Sequence, residues 1–270
     1  SILGAALLTV LVTRWLKLPL RPIDPFMAFA FIFSVVNLIH LKVSGPAAAA
    51  LPERVLFKSR YRMHHWIPSL ILSGTAIFLA WNRRGWWAMG LLGVMFFLGW
   101  SYDRALLPRP FKWRRLRDLP MSKDLFTALG WSAITVILPS VVGRSGDPAW
   151  VPMLALAFLV FCLILQRAII VDLGDLERDR PLGRETLPLW LGEDRTKRVG
   201  LLLGLALPLL AGGLAALGIL PPPALGFAVL PLYNALLIRY HESFASEEWR
   251  YGLAADAGYY LLALIFLILF

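Results

Sequence analysis

The sequence has little cysteine, little charge and no low-complexity tract. Its single cysteine, Cys162, excludes a disulfide within the chain and a metal site built from several cysteines. Charged residues make up 16% of the 270 positions and hydrophobic residues 59%, whereas a soluble domain is about a quarter charged. The sequence also lacks the H-E-x-x-H, P-loop and G-x-S-x-G motifs, which argues against zinc-protease, P-loop nucleotide and hydrolase chemistry.

The abundant apolar residues form long blocks separated by short charged loops. About 20 apolar residues cross the hydrocarbon core of a bilayer as a helix, because lipid offers the backbone no other hydrogen-bonding partner. We therefore predict an all-α membrane protein, a single domain over residues 1–270 with nine transmembrane helices forming one bundle around a central cavity. The first block has no cleavage-site pattern and is interpreted as a helix, although a start without methionine indicates a trimmed end. The nine blocks are 1–18, 24–43, 65–82, 86–102, 122–142, 149–172, 196–218, 221–240 and 252–270.

The distribution of basic residues predicts the orientation in the membrane. The loops after blocks two, four, six and eight, together with Lys123, hold 20 of the 27 lysines and arginines, and the alternate loops hold six. Because basic loops stay in the cytoplasm, we expect a cytoplasmic N-terminus and an external C-terminus. The formal net charge of +10 then needs no nucleic-acid partner, and anionic lipid or a phosphorylated substrate remains open.

Three carboxylates, Asp172, Asp175 and Asp179, directly continue the apolar run 168–171. Their i, i+3, i+7 spacing places them on one face of a helix, and a carboxylate near the membrane core costs about 2.5–3.5 kcal/mol. A divalent cation would offset this cost, and Mg²⁺ typically binds one or two carboxylates and shares substrate phosphates. The alternative is a solvated loop balanced by nearby arginines, Arg184 among them. We favour a metal site.

Two further polar groups are candidates for substrate binding. Lys112, Arg114 and Arg117, in the loop after block four, can bind a diphosphate at the mouth of a cavity, and they serve equally well as positive-inside anchors. Asn37 and His40 share a face near the end of block two. A buried Asn/His pair is more often a hydrogen-bonded core feature than a ligand, and substrate binding is the alternative that the resemblance described below brings in.

Two ionisable residues fall inside predicted membrane helices, Arg167 in block six and Asp256 in block nine. Such groups face the interior of a bundle and tend to be paired. We therefore expect these two side chains to pair with each other.

The chain resembles the UbiA superfamily of intramembrane prenyltransferases in the stretches 116–131, 172–192 and 256–260. Members of that superfamily have nine transmembrane helices and two aspartate-rich motifs, at the cytoplasmic ends of helices two and six. The stretch 172–192 resembles the second motif and its downstream tail closely. This resemblance implies a Mg²⁺ cofactor bound by Asp175 and Asp179, with Asp172 in support.

The first aspartate motif is degenerate. The family pattern Asn-x-x-x-Asp-x-x-x-Asp reads Asn37, Leu41 and Gly45 here, so both metal-binding aspartates of that motif are missing. The missing aspartates argue against ordinary prenyl transfer with two metal ions, and they do not affect the expected fold. Protonated His40 can contact the diphosphate directly and supply the positive charge of the second ion.

The resemblance implies an enzyme, a divergent prenyltransferase that moves a prenyl group from a polyprenyl diphosphate to an apolar, often aromatic, acceptor. Asp175, Asp179 and Asp172 are the expected catalytic residues. The expected substrate-binding residues are Lys112, Arg114, Arg117, Arg184, Asn37 and His40. The alternatives are a non-catalytic homologue that binds an isoprenoid lipid or stabilises a membrane partner, and a membrane terpene cyclase on the same scaffold. We expect a bacterial or archaeal inner membrane, with the active site on its cytoplasmic side.

Overall fold

The structure, a computed structural model, describes residues 2–40, 62–102, 104, 108, 114–143, 150–176, 186–244 and 248–269. Within these ranges the secondary structure is almost wholly helical, and each of the nine predicted blocks falls on a helix. The helices are α1 (Ile2–Trp15), α2 (Ile23–His40), α3 (Arg62–Arg84), α4 (Trp86–Ser101), α5 (Ser122–Ser132), α6 (Leu138–Gly143), α7 (Trp150–Gly174), α8 (Leu187–Leu191), α9 (Glu193–Ala216), α10 (Val229–Arg239), α11 (His241–Phe244) and α12 (Glu248–Leu269).

The fifth block is one continuous helical run with an irregular middle. A π-helical turn, Ala133–Ile137, joins α5 to α6, and such a turn accommodates an extra residue without ending the helix. Just before it, the Ser132 hydroxyl donates a hydrogen bond of 2.7 Å to the carbonyl of Ala157 on α7. This bond fixes α5 against α7, and the polar ends of those two helices meet in the candidate site.

The helices pack largely in chain order. Helix α1 contacts α2, α2 contacts α3, and α3 contacts α4, while α7, α9, α10 and α12 form a second series in which each helix contacts the next. The π-helical turn contacts α1, α2 and α7, and α12 packs against α1, so the two series are joined. The described helices are therefore joined in one packed set, whereas the central cavity and the single domain over residues 1–270 stay predictions.

Helix α7 supplies much of the interior. Its apolar side chains contribute to a large buried cluster through Leu156, Leu159 and Leu163, and to a smaller one through Ile169 and Ile170. A helix that is apolar on all sides is buried in a core or in lipid. The central position of α7 explains why the polar residues at its end are held by neighbouring helices.

Several features indicate a membrane environment. Among the described residues, three helical stretches are long and apolar enough to cross a bilayer: Ser122–Val141, Trp150–Gly174 and Glu193–Ala216. Helix α9 exposes large apolar side chains such as Leu205 and Leu209. Exposed tryptophans lie near helix ends, as in the aromatic belts of membrane proteins. The chain therefore has the character of a membrane protein, but the prediction of nine transmembrane helices is not confirmed, because within the described residues only these three stretches meet the length and hydropathy of a membrane span.

The predicted pairing of Arg167 and Asp256 is confirmed. The Arg167 Nε and Nη2 atoms lie 2.9 and 2.5 Å from Oδ1 of Asp256. Both side chains are mostly buried. The pair joins α7 to α12 across the bundle.

Candidate active site

The candidate site lies where the start of α5 meets the end of α7. Asp172 is in the last turn of α7 and its side chain is 1% exposed, while Lys123 is in the first turn of α5 and its side chain is 35% exposed. The Lys123 ammonium donates to Oδ1 of Asp172 in a direct ion pair. A buried carboxylate requires such a partner, because an unpaired buried charge is very costly.

A second carboxylate, Asp124, is buried beside this ion pair. Asp124 has no solvent exposure, and its carboxyl group lies beside that of Asp172. Its Oδ2 accepts a hydrogen bond of 3.0 Å from the backbone N–H of Leu187. Asp124 therefore connects three elements: the start of α5, the end of α7 and the start of α8.

Helix α4 reaches the same place through Tyr102. The Tyr102 hydroxyl lies 2.9 Å from the Ser122 hydroxyl, and its ring packs edge-on against Phe126 at 5.7 Å between centroids. Two residues further along the chain, the guanidinium of Arg104 lies 3.4 Å from the centroid of the Trp100 ring, which is a cation–π contact. The end of α4 and the start of α5 are thus held together by polar and aromatic contacts.

The described residues include several of the predicted site residues. Asp175 directly follows the last residue of α7 and is half-buried. Its N–H donates to the carbonyl of Val171 at 3.0 Å, so the helical hydrogen bonding continues through it. Asn37 donates from Nδ2 to the carbonyl of Phe33 in its own helix at 2.9 Å. Arg114 is exposed, and its N–H donates to Asp118 at 3.2 Å.

The other predicted site residues cannot be placed in this way. Asp179, Lys112 and Arg184 lie outside the described residues. His40 ends α2 and Arg117 belongs to a 3₁₀ turn, Leu116–Asp118, but the side chains of both lie outside the described part of the structure. Their roles stay predictions.

The side chains present are compatible with Mg²⁺ near Asp175. Mg²⁺ prefers oxygen ligands and commonly binds through one or two carboxylates. The charge of Asp172 is matched by Lys123, which is compatible with the supporting role expected for Asp172, and that role stays a prediction. An ion would thus be held by Asp175 and, beyond the described residues, by Asp179.

Sequence reasoning missed Asp124 and the direct role of Lys123. Both residues follow Pro120 closely and stand at the beginning of an apolar block, where charged side chains are expected for interfacial anchoring. The available signal was an acidic residue placed just inside a membrane helix, which is costly unless the residue has a partner.

A second polar cluster joins the start of α9 to α11. Glu193, His241 and Glu242 lie close enough together to hold a metal ion, but Lys197 Nζ lies 2.8 Å from Glu193 Oε1 and 3.1 Å from Glu242 Oε1. Burial lowers the pKa of His241 below its usual value, and the nearby Lys197 ammonium lowers it further. Since the lysine ammonium contacts both glutamates and occupies the space between them, we interpret this cluster as a structural ion-pair network.

Comparisons with known proteins identify the family of the chain and two of its relatives. A protein-family model described as the UbiA prenyltransferase family matches residues 47–254. A digeranylgeranylglyceryl phosphate synthase from Pyrococcus abyssi (strain GE5 / Orsay) is 26% identical over 151 residues, which are 56% of this chain and 50% of that protein. A protein of the same name from Thermococcus kodakarensis (strain ATCC BAA-918 / JCM 12380 / KOD1) is 29% identical over 180 residues, 63% of this chain and 56% of that protein. The chain thus spans about half the length of the curated relatives it matches, and no solved structure matches it.

Proposed function

The chain belongs to the UbiA prenyltransferase family, whose model covers more than half of it, and on this premise we propose that it is an intramembrane prenyltransferase. It transfers a prenyl group from a polyprenyl diphosphate to an apolar acceptor and depends on Mg²⁺. The observation that carries the proposal is the pairing of Asp172, at the end of a buried apolar helix, with Lys123 from another helix. That pair orders the end of α7, from which the remaining carboxylates of the motif follow.

The chain's own residues have distinct tasks in this proposal. When bound, Mg²⁺ supplies positive charge that neutralises the diphosphate as it leaves the prenyl group. Asp175 and Asp179 hold the ion, and Asp172 keeps the end of α7 in place through Lys123. The exposed guanidinium of Arg114 adds positive charge for the diphosphate, which is the kind of group that arginine binds well.

The remaining predicted basic residues have the same task. Lys112, Arg117 and Arg184 contribute positive charge for binding the diphosphate, and protonated His40 supplies the charge that the missing first aspartate motif would bring through a second ion. Because preorganised positive charge stabilises a leaving anion, these side chains lower the barrier to ionisation of the prenyl diphosphate. The departing prenyl cation is shielded from water by the apolar helices.

The test is a measurement of diphosphate release and product mass with purified protein, Mg²⁺ and a panel of prenyl diphosphates. Geranylgeranyl diphosphate is the first donor to try, since the relatives are named as digeranylgeranylglyceryl phosphate synthases. We expect Asp175→Asn and Asp179→Asn to abolish Mg²⁺-dependent binding and turnover while the fold survives. Asp194→Asn, which neutralises an exposed carboxylate at the start of α9, is the matched control and should leave both unchanged.

The outcomes distinguish the proposal from its alternatives. Product with the mass of donor plus acceptor supports transfer, and a cyclised donor indicates a terpene cyclase. Binding of the diphosphate without its release indicates a non-catalytic homologue, which the degenerate first motif favours because Leu41 and Gly45 cannot ligate an ion. Unchanged binding by both Asp→Asn variants means that the ion site is wrong.

The proposed active site faces the cytoplasm, and cysteine labelling tests this. In a Cys162→Ala background, single cysteines in the loops 103–121 and 180–195 should react with an impermeant reagent only from the cytoplasmic side. One at 145–147 should react from the outside. The reverse pattern would overturn the orientation derived from the basic residues and the cytoplasmic site with it.

A further inference from the structure

Two buried carboxylates, Asp124 and Asp172, lie side by side in the candidate site. Within the described residues, Oδ1 of Asp124 and Oδ2 of Asp172 are buried and accept no hydrogen bond. The other oxygen of each group is satisfied, by the N–H of Leu187 and by the Lys123 ammonium respectively. Buried polar atoms are nearly always hydrogen-bonded. Two such oxygens in one small cluster therefore indicate that the two carboxyl groups share a proton or a cation.

The charges of the cluster lead to the same conclusion. Among the described residues, two ionised carboxylates beside one ammonium give a net charge of −1 in a place where Asp124 is fully buried and Asp172 nearly so. Neighbouring like charges cannot easily both remain ionised when they are buried. Within the described part of the site, either a proton or a metal cation would complete the group.

A proton fits this cluster better than a metal ion. Mg²⁺ usually keeps several of its water ligands, and two side chains that expose almost no surface leave little access for a hydrated ion. The Lys123 ammonium already occupies one side of Asp172. A single proton makes the cluster neutral and turns one unpartnered oxygen into a donor and the other into its acceptor.

We propose that Asp124 is a positioning residue whose carboxyl group carries a proton and donates a hydrogen bond to Asp172 while it accepts one from Leu187. The proposal rests on the proposed function for its catalytic consequence. Through Asp124, the segment that follows the second aspartate motif is tied back to the end of α7, on which that motif begins. The positions of Asp175 and of the chain at Leu187 are thereby coupled.

Substitutions of Asp124 distinguish a protonated carboxyl group from an ionised one. Asparagine has the same shape, and it can accept from Leu187 through its oxygen and donate to Asp172 through its nitrogen. We expect Asp124→Asn to keep the rate of prenyl transfer within about threefold of the parent. Asp124→Ala removes the proposed donor to Oδ2 of Asp172 and should lower kcat by about tenfold or more. Ser34→Ala is the control: it removes a buried hydroxyl that donates to Ser69 at 3.0 Å between α2 and α3, and it should change stability without a selective loss in kcat. If Asp124→Asn loses as much activity as Asp124→Ala, a charged carboxylate is needed and the proposal is overturned.

Infrared spectroscopy tests the proton without any requirement for turnover. At neutral pH the parent protein should show the carbonyl stretching band of a buried carboxylic acid whose proton exchanges slowly with deuterium. The Asp124→Asn variant should lack this band. Absence of the band in the parent, or its persistence in Asp124→Asn, refutes the shared proton. If the protein proves not to be a transferase, this spectroscopic result still stands, so failure of the proposed function and failure of this inference can be told apart.

Discussion

The ion pair between Arg167 and Asp256 provides the sharpest test of how the bundle is held together. Its guanidinium and carboxylate are in direct contact, with 2.5 Å between Arg167 Nη2 and Asp256 Oδ1, and the side chains are 16% and 21% exposed. Breaking a fully buried pair by removing one partner costs about 3–5 kcal/mol, and breaking a surface pair costs about 0–1 kcal/mol. Because this pair is mostly but not fully buried, we expect Arg167→Met or Asp256→Leu to lower the free energy of unfolding by about 2 kcal/mol.

The double variant carries the decisive information. When both charges are removed together, neither partner of this pair remains as a lone buried charge, so Arg167→Met/Asp256→Leu should lose less than about 1 kcal/mol relative to the parent. The assay is reversible unfolding in mixed micelles, with the free energy taken from the denaturant dependence of helical circular dichroism. Glu242→Gln is the matched control, because it breaks the 3.1 Å contact with Lys197 at a side chain that is 84% exposed. This control should cost no more than about 1 kcal/mol. A double variant as unstable as the sum of the single variants would refute the coupling, and the ion pair would then contribute nothing to stability.

Three further predictions follow from close contacts and titration. A Cβ on Gly204 would lie 2.4 Å from the Cβ of Ala235, so Gly204→Ala should destabilise the protein by about 1–3 kcal/mol. In the control variant Gly212→Ala, in the same helix, the added Cβ meets nothing within 4 Å, and no destabilisation is expected. The thermal unfolding midpoints of the two variants test this difference. The Gln166 amide donates to two backbone carbonyls and accepts from Asn234. Gln166→Leu should lower the free energy of unfolding by about 1–3 kcal/mol, because it removes the acceptor of the buried Asn234 amide. If this is the cause, the double variant Gln166→Leu/Asn234→Leu should recover part of the lost stability. Since burial lowers the pKa of His241 in the folded state, the unfolded chain binds the extra proton first, and stability should fall as the pH drops below about 6.5. His241→Gln should remove that part of the pH dependence of the unfolding midpoint, and an identical pH profile in both proteins would contradict it.

Several features of the fold followed from the sequence for simple physical reasons. Long apolar blocks must become helices in lipid, because the backbone can satisfy its hydrogen bonds only within the helix, and each block does lie on a helix. The pairing of Arg167 with Asp256 followed from the cost of a lone charge in the membrane. The number of membrane crossings did not follow, since hydrophobicity marks a block but not where its helix begins and ends, and α1 has only 14 residues.

For the candidate site, too, some features followed from the sequence and others only from the tertiary structure. The sequence by itself determined that the carboxylates after residue 171 form a motif, because their spacing is a property of one helix and the resemblance rests on consecutive residues. Only the tertiary structure decided what Asp172 does. Its partners Lys123 and Asp124 come from a helix that starts about 50 residues earlier, and Asp124 is in turn held by the N–H of Leu187, 63 residues further along the chain. Spacing along one helix says which side chains share a face, but the residues that meet that face depend on how α5, α7 and α8 pack.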